Sequence, residues 1–116
     1  MGTVYNEAGL SVEAQEVHRA LASLIEELEA IDWYNQRADV TQDEQLKAVL
    51  LHNRNEEIEH AAMALEWLRR KISNFDEELK TYLFTSAPIT QIEEGAEGGE
   101  AAGESEGASG SLDVGN

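Results

Sequence analysis

The chain has 116 residues, of which 24 are acidic and 8 basic, and its formal net charge is −16 at pH 7. A surface of this sign repels phosphate backbones, and no run approaches the roughly 18 apolar residues of a membrane span, so we expect neither a nucleic acid nor a membrane as partner. The chain has no cysteine, which excludes disulfides, thiolate metal sites and thiol catalysis. Because residues 1–10 lack a signal-peptide pattern, we expect a soluble, cytoplasmic protein.

Charge and glycine divide the sequence into two parts. All 8 basic residues precede Thr85, whereas 7 acidic residues and no basic one follow Phe84. Seven of the 9 glycines lie in the last 22 residues, from Gly95 onward. This pattern predicts one folded domain over residues 1–92 and a disordered acidic linker over residues 93–116. A domain of this size has a marginal core, so we expect a homo-oligomer.

The first part is predicted to fold as an all-α antiparallel hairpin, because residues 10–84 contain neither glycine nor proline. Ser11 is a good N-cap for the first helix. Residues 39–43 form the predicted turn, with Thr41 as N-cap of a second helix that ends near Lys71. The first helix carries a heptad-like apolar seam of Val17, Leu21, Leu24, Leu28 and Ile31.

A short third helix is predicted after the hairpin. Ser73 or Asn74 would cap it, and it would continue to Phe84. Pro88 would end the helical region, with extended backbone over residues 85–92.

Polar side chains interrupt the apolar faces of the two long helices. At about 100° per residue, Glu57 and His60 lie in the middle of the apolar arc of the second helix. Glu27 lies at the edge of the apolar face of the first helix, whereas Glu26 and Glu29 point to the opposite side. A carboxylate and an imidazole in a buried seam cost free energy unless they are paired or bind a metal. The apolar arc of the second helix consists of Leu46, Val49, Leu50, Ala64, Trp67 and Leu68.

Metal-binding helical bundles use this combination of residues. Carboxylate oxygens suit hard iron ions, and imidazole fills the remaining positions. A di-iron bundle takes a Glu from each of two helices and a Glu-x-x-His from each of the other two. Glu27 with the Glu57-x-x-His60 pair is half of that set, so we predict that two hairpins dimerise into a ferritin-like four-helix bundle. The residues alone leave another interpretation open, in which Glu57 and His60 bond each other or Arg54.

Two further polar groups share helix faces. The first group is Glu26, Glu29 and Trp33, and the second is His52, Glu56 and Glu59. Each group could attract cations towards the inner site. Spacing alone favours ordinary solvated faces over metal-attracting groups.

Long motifs of this sequence resemble encapsulated ferritin. The matching runs are 25–34, 52–63, 65–70 and 81–85, together with Pro88 and Ile89. The resemblance extends over roughly residues 13–92, and these motifs are far more specific than a single Glu-x-x-His.

The resemblance implies an assembly and an activity. Two chains recreate the ferritin bundle, and the pairs form an open decameric ring. Iron binds between two chains to Glu27, Glu57 and His60 of each subunit, with Glu27 bridging the ions and Tyr34 close by. This centre oxidises Fe(II) to Fe(III), which makes the chain a ferroxidase.

The resemblance also assigns the two outer groups. Metal-entry positions of the family correspond to Glu26, Glu29 and Trp33. An outer metal-binding group corresponds to His52, Glu56 and Glu59. We expect Ca²⁺ or another divalent ion as a ligand at these outer positions.

The end of the chain resembles the targeting peptide of the same family. Residues 109–116 contain a Gly-Ser-Leu motif at Gly110, Ser111 and Leu112. The resemblance implies that this peptide binds an encapsulin shell, which places the chain as iron-storing cargo inside an encapsulin nanocompartment. Two apolar anchors in an extended peptide can dock in a groove, and many copies add avidity.

Two other functions remain open at this point. A non-catalytic cargo or adaptor protein could use Glu57 and His60 as a structural metal clip that assembles helices. A di-metal enzyme that consumes peroxide would keep the same bundle with different chemistry. Iron titration and the metal content of the purified protein separate these functions from a ferroxidase.

Overall fold

The computed structural model describes residues 7–103 and, for side chains, residues 7–96. Within these residues it contains helices and no strand, which confirms the predicted all-α fold class. The chain divides into two compact units, Met1–Lys71 and Ile72–Asn116. The described helices are α1 (Val12–Val40), α2 (Glu44–Lys71), α3 (Ser73–Tyr82) and α4 (Ile89–Gly103).

The first unit is a hairpin of α1 and α2. The 29 residues of α1 give a rod of about 44 Å at 1.5 Å per residue. Asn35 contacts Arg54, whereas Glu27 contacts His60. Residue numbers on α2 therefore increase as the numbers of their contacts on α1 decrease. The two helices are therefore antiparallel, as predicted.

The caps of the hairpin agree with the prediction at one helix and differ at the other. Ser11 caps α1, since its side-chain oxygen accepts a hydrogen bond from the Ala14 amide at 3.0 Å. Asp43, not Thr41, caps α2: its Oδ1 accepts from the amides of Gln45 and Leu46 at 2.9 and 3.0 Å. Thr41 instead accepts from the Asp43 amide at 3.3 Å. The prediction was wrong here because Asp43 stands immediately before the helix, where a carboxylate reaches two unpaired amides.

The second unit contains α3 and α4, which contact each other. Ile72 occupies the N-cap position of α3 without a side-chain hydrogen bond, so neither Ser73 nor Asn74 is the cap. Pro88 opens α4, and its carbonyl accepts from the amides of Gln91 and Ile92 at 3.0 and 3.1 Å.

The helix α4 corrects the prediction for this part of the chain. Extended backbone was expected over residues 85–92, whereas a helix begins at Ile89 and runs to Gly103. The predicted division of the chain at residue 92 stays a prediction. Proline is favourable at a helix start because its missing amide would be unpaired there anyway. The predicted targeting peptide, residues 109–116, lies outside the described residues.

The core of the described chain is thin. Its buried apolar side chains are Ala38, Ala61 and Leu68. Two of the five residues of the predicted seam on α1, Leu21 and Leu28, are exposed, whereas the other three are half-buried. No described helix is both long enough and apolar enough to cross a membrane.

Candidate metal centre

Three metal-ligating side chains converge between α1 and α2. One ligand atom each from Glu27, Glu57 and His60 lies within 4.8 Å of the other two. The Nδ1 atom of His60 is 3.5 Å from Glu57 Oε1 and 3.7 Å from Glu27 Oε1. Within the described part of the chain, this is the one cluster of three such residues.

Helix periodicity and the antiparallel pairing together build this cluster. Glu57 and His60 lie one turn apart on α2 and therefore project from the same face. Glu27 lies on the opposing face of α1 between Leu24 and Ile31, which are half-buried. The antiparallel packing of α1 and α2 therefore places the three side chains at the same position along the length of the hairpin.

The cluster stands at the open edge of the hairpin. The side chains of Glu27 and Glu57 are 26% and 25% exposed, and that of His60 is 43% exposed. All three groups are therefore partly desolvated by their own chain and remain accessible from one side. A partner can reach them without unfolding the hairpin.

The carboxyl group of Glu27 holds its proton more tightly than an isolated one would. The pKa of Glu27 is raised above its ordinary value, chiefly by a hydrogen bond with Glu57, then by burial and by repulsion from the Glu57 charge. His60 opposes this rise, and Glu26 adds to it. Like charges at close range favour a shared proton. A cation placed between them would remove the same repulsion.

The donor set fits iron. Two carboxylates and one imidazole combine hard oxygen ligands with a nitrogen ligand, a set that suits iron and similar transition metals. If a pair of ions bound here, three residues of one chain would leave coordination positions unfilled. A symmetric second set would supply two Glu-x-x-His pairs and two further glutamates, as in di-iron bundles.

The other predicted site residues are not gathered into a comparable cluster. His52 Nε2 is 3.8 Å from Glu56 Oε2, and both side chains are exposed. Glu59 lines a cavity on the surface of α2 instead. Glu26 and Glu29 are exposed on α1. The outer metal groups therefore stay predictions.

The contacts of two arginines were not predicted from the sequence. Arg37 lies 5.6 Å from the centre of the Trp33 ring and 5.7 Å from that of Tyr34. Arg54 donates from Nη1 to Asn35 Oδ1 at 2.9 Å, which ties α2 to α1. The spacing of Arg37 from the two rings, four and three residues, is a signal that could have revealed the first contact. The second contact depends on the register of the hairpin.

Comparison with known proteins identifies the family. The model of the EncFtn-like family matches residues 3–86. The chain belongs to the EncFtn-like family. The predicted resemblance to encapsulated ferritin is therefore confirmed.

Relatives and a solved structure agree with this assignment. An encapsulated ferritin-like protein of Rhodospirillum rubrum is 51% identical over 113 residues, covering 92% of this chain and 81% of the relative. A ferritin-like protein of Thermotoga maritima is 60% identical over 81 residues, covering 70% of this chain and 71% of that protein. A crystal structure of a Nitrosomonas europaea protein, 59% identical, superposes with a TM-score of 0.71 over 73% of this chain and 96% of its own.

Proposed function

We propose that the chain is a ferroxidase whose di-iron centre forms between two copies. The observation that carries this proposal is the convergence of Glu27, Glu57 and His60 within 4.8 Å at the open edge of the hairpin. Membership of the EncFtn-like family supports iron as the metal. Each copy would supply half of the ligands, with Glu27 in the bridging role that the family resemblance implies.

The residues of the site act on Fe(II) as substrate. Anionic oxygens bind Fe(III) more tightly than Fe(II), so Glu27 and Glu57 lower the potential at which Fe(II) gives up an electron. A pair of Fe(II) ions loses two electrons, which O₂ accepts with two protons to become hydrogen peroxide. His60 binds through one ring nitrogen, and its other nitrogen needs an acceptor that fixes the ring.

We further propose that the chain is cargo of an encapsulin shell. The Rhodospirillum rubrum relative is named an encapsulated ferritin-like protein. Residues 109–116 would be the targeting peptide, and the acidic residues before them a tether. In this arrangement the domain oxidises iron inside the compartment, where the ferric product is stored.

The ferroxidase proposal is tested by Fe(II) oxidation followed by absorbance in stopped flow. Glu27→Ala and His60→Ala should each lower the rate at least roughly 100-fold, since loss of an outer partner alone costs 10–100-fold. Glu16→Gln, an exposed glutamate on the same helix, is the control and should oxidise iron normally. Circular dichroism verifies that all variants remain helical. Unchanged rates in both site variants would refute the proposal.

The same titration separates the alternatives. A non-catalytic adaptor would assemble with metal, as measured by mass, without turning over Fe(II). A peroxide-consuming enzyme would carry its metal through purification and act on peroxide faster than on O₂. Iron oxidation in the absence of peroxide therefore distinguishes the proposed function from both.

The cargo proposal has its own test. Deletion of residues 107–116 should leave iron oxidation intact and prevent loading into a co-expressed encapsulin shell. The full-length chain is the control, and shell-bound protein is measured after gel filtration. Equal loading of the truncated chain would overturn the cargo proposal and leave the ferroxidase proposal untouched.

A further inference from the structure

Phe84 is an aromatic side chain held out into solvent. It is 96% exposed, and its backbone has φ 63°, the one non-glycine residue with positive φ in the described chain. This left-handed conformation normally falls to Gly or Asn at the end of a helix, because a bulky side chain is strained there. Strain of this kind is retained where the side chain has a task.

The surroundings of Phe84 in sequence are apolar and uncharged. Leu83 precedes it and is also exposed, while Ile89 follows five residues later and is 71% exposed. Residues 83–92 contain no charged side chain, although the whole chain carries −16. This segment can therefore approach an acidic surface without charge repulsion.

A cavity of about 400 Å³ lies on the surface of α2. Its lining includes Met63, which is 59% exposed, and the half-buried Trp67. We call it the α2 cavity. Its lining residues are Glu59, Ala62, Met63, Glu66, Trp67 and Arg70.

The polar rim of the α2 cavity is fixed by ion pairs. Glu66 accepts from Arg69 at 2.8 Å and from Arg70 at 2.7 Å. These two guanidinium groups lower the pKa of Glu66 to about 2, so its charge is balanced at neutral pH. Glu66 therefore needs no cation from a bound segment, and an uncharged segment can pack against the rim.

We propose that Phe84 of one chain inserts into the α2 cavity of a second copy. The thin core of the chain argues for a second copy as the occupant. The described residues bury only three apolar side chains and leave thirteen large ones exposed, a balance typical of a chain that completes its core by association. An aromatic side chain enclosed in such a cavity buries roughly 150–250 Å².

The contact joins different parts of two chains, because Phe84 of one copy meets the α2 cavity of the other. Each copy can offer its own Phe84 to one neighbour and receive another in its cavity. Such contacts close into a ring or into a reciprocal pair. The contact involves none of Glu27, Glu57 and His60, so its failure and failure of the ferroxidase proposal are distinguishable.

Cross-linking between singly substituted chains tests the proposal directly. The natural chain has no cysteine, so Phe84→Cys and Ala62→Cys each introduce one thiol. The two variants carry tags of different mass, are co-expressed, and are oxidised with EDTA present. We expect a disulfide-linked heterodimer, which cannot arise from docking within one chain.

Ala48→Cys is the matched control for Ala62→Cys. Both positions are exposed alanines on α2, and 14 residues separate them by about 21 Å. Phe84→Cys should cross-link to Ala62→Cys at least tenfold more than to Ala48→Cys. Equal yields, or no cross-link to Ala62→Cys, would overturn the proposal.

Two substitutions test the same contact in otherwise native chains. Phe84→Gly removes the ring and relieves the strained backbone, so the helical content should persist while the association constant falls at least tenfold. Ala62→Trp fills the cavity and should weaken association to the same extent, and the double variant should be no weaker than either single one. Native mass spectrometry over a dilution series measures this. Wild-type association of Phe84→Gly would contradict the proposal.

Discussion

Glu27, a residue of the candidate metal site, lowers the folding stability of the metal-free chain at neutral pH. Its pKa is raised, chiefly by the hydrogen bond with Glu57. Between its ordinary pKa of 4.5 and the raised value, the unfolded chain loses this proton while the folded chain keeps it. Stability of the metal-free chain therefore falls as pH rises through that window, and the penalty is constant above it.

Glu27→Gln should stabilise the metal-free chain at pH 7, because glutamine can still donate to Glu57 and carries no charge. The gain should be about 1 kcal/mol or less, since the site is partly open to solvent. It should disappear near pH 4, where Glu27 is protonated. Urea unfolding in EDTA at both pH values measures this. Glu16→Gln serves as the control, and a gain that is equal at both pH values would contradict the electrostatic explanation.

Metal binding at the same residues should depend on pH. Glu27 must lose its proton to bind a metal, so affinity should fall by up to tenfold per pH unit below its raised pKa. Co(II) is a suitable probe because it does not oxidise during the titration. Calorimetry in buffers of different ionisation enthalpy counts the protons released. Glu27→Gln should release fewer protons than the wild type, and identical release would indicate that another group carries the proton.

At the scale of the helices, two nearby residues, Thr41 and Asp43, are alternatives for the N-cap of α2. Asp43 accepts two backbone hydrogen bonds from α2, whereas Thr41 accepts one from Asp43 itself. Asp43→Ala should therefore lower the unfolding free energy by about 1 kcal/mol. Thr41→Ala should lower it less. Chemical denaturation compares the two variants, and a larger loss for Thr41→Ala would restore Thr41 as the cap.

Local patterns predicted those features that depend on one helix at a time. The long interval without glycine or proline predicted α1 and α2, and the 100° periodicity predicted that Glu57 and His60 share a face. Their meeting with Glu27 also needs the register of α1 against α2, which periodicity does not fix. The hydrogen bond between Arg54 and Asn35 depends on that register too, and it was missed.

The helix α4 was missed for a different reason. Gly95 and the glycines that follow lower helix propensity, and the prediction treated Pro88 as the end of the helical region rather than as a helix start. Glu93 and Glu94 favour helix in this stretch. Proline can begin a helix as well as end one, and the prediction used only the second property.

At the scale of the whole molecule, association of two hairpins would address two features of the single chain, its few buried apolar side chains and its incomplete set of metal ligands. The exposed apolar residues of α1, Leu21, Ile25 and Leu28, follow spacings of four and three, which is the pattern of a helix face that packs against a partner. The cluster of Glu27, Glu57 and His60 opens at the edge of the same hairpin. Association of two hairpins would bury apolar surface and complete the ligand set together.

If the proposed metal site forms between two copies, metal should strengthen association, because only the paired state would then offer the complete site. A metal that binds one state alone stabilises it by roughly 2.7 kcal/mol when its free concentration is 100 times its dissociation constant. The dimer dissociation constant, measured by analytical ultracentrifugation with Co(II), should fall about 100-fold relative to EDTA. Glu57→Gln should abolish this metal effect but keep the association seen in EDTA, since that part comes from apolar surface. Leu28→Lys should show the reverse, with weak association in EDTA that metal partly restores. Equal metal effects in the wild type and in Glu57→Gln would mean that the ions bind elsewhere. The proposed site between the two chains would then not be the cause of the metal-dependent association.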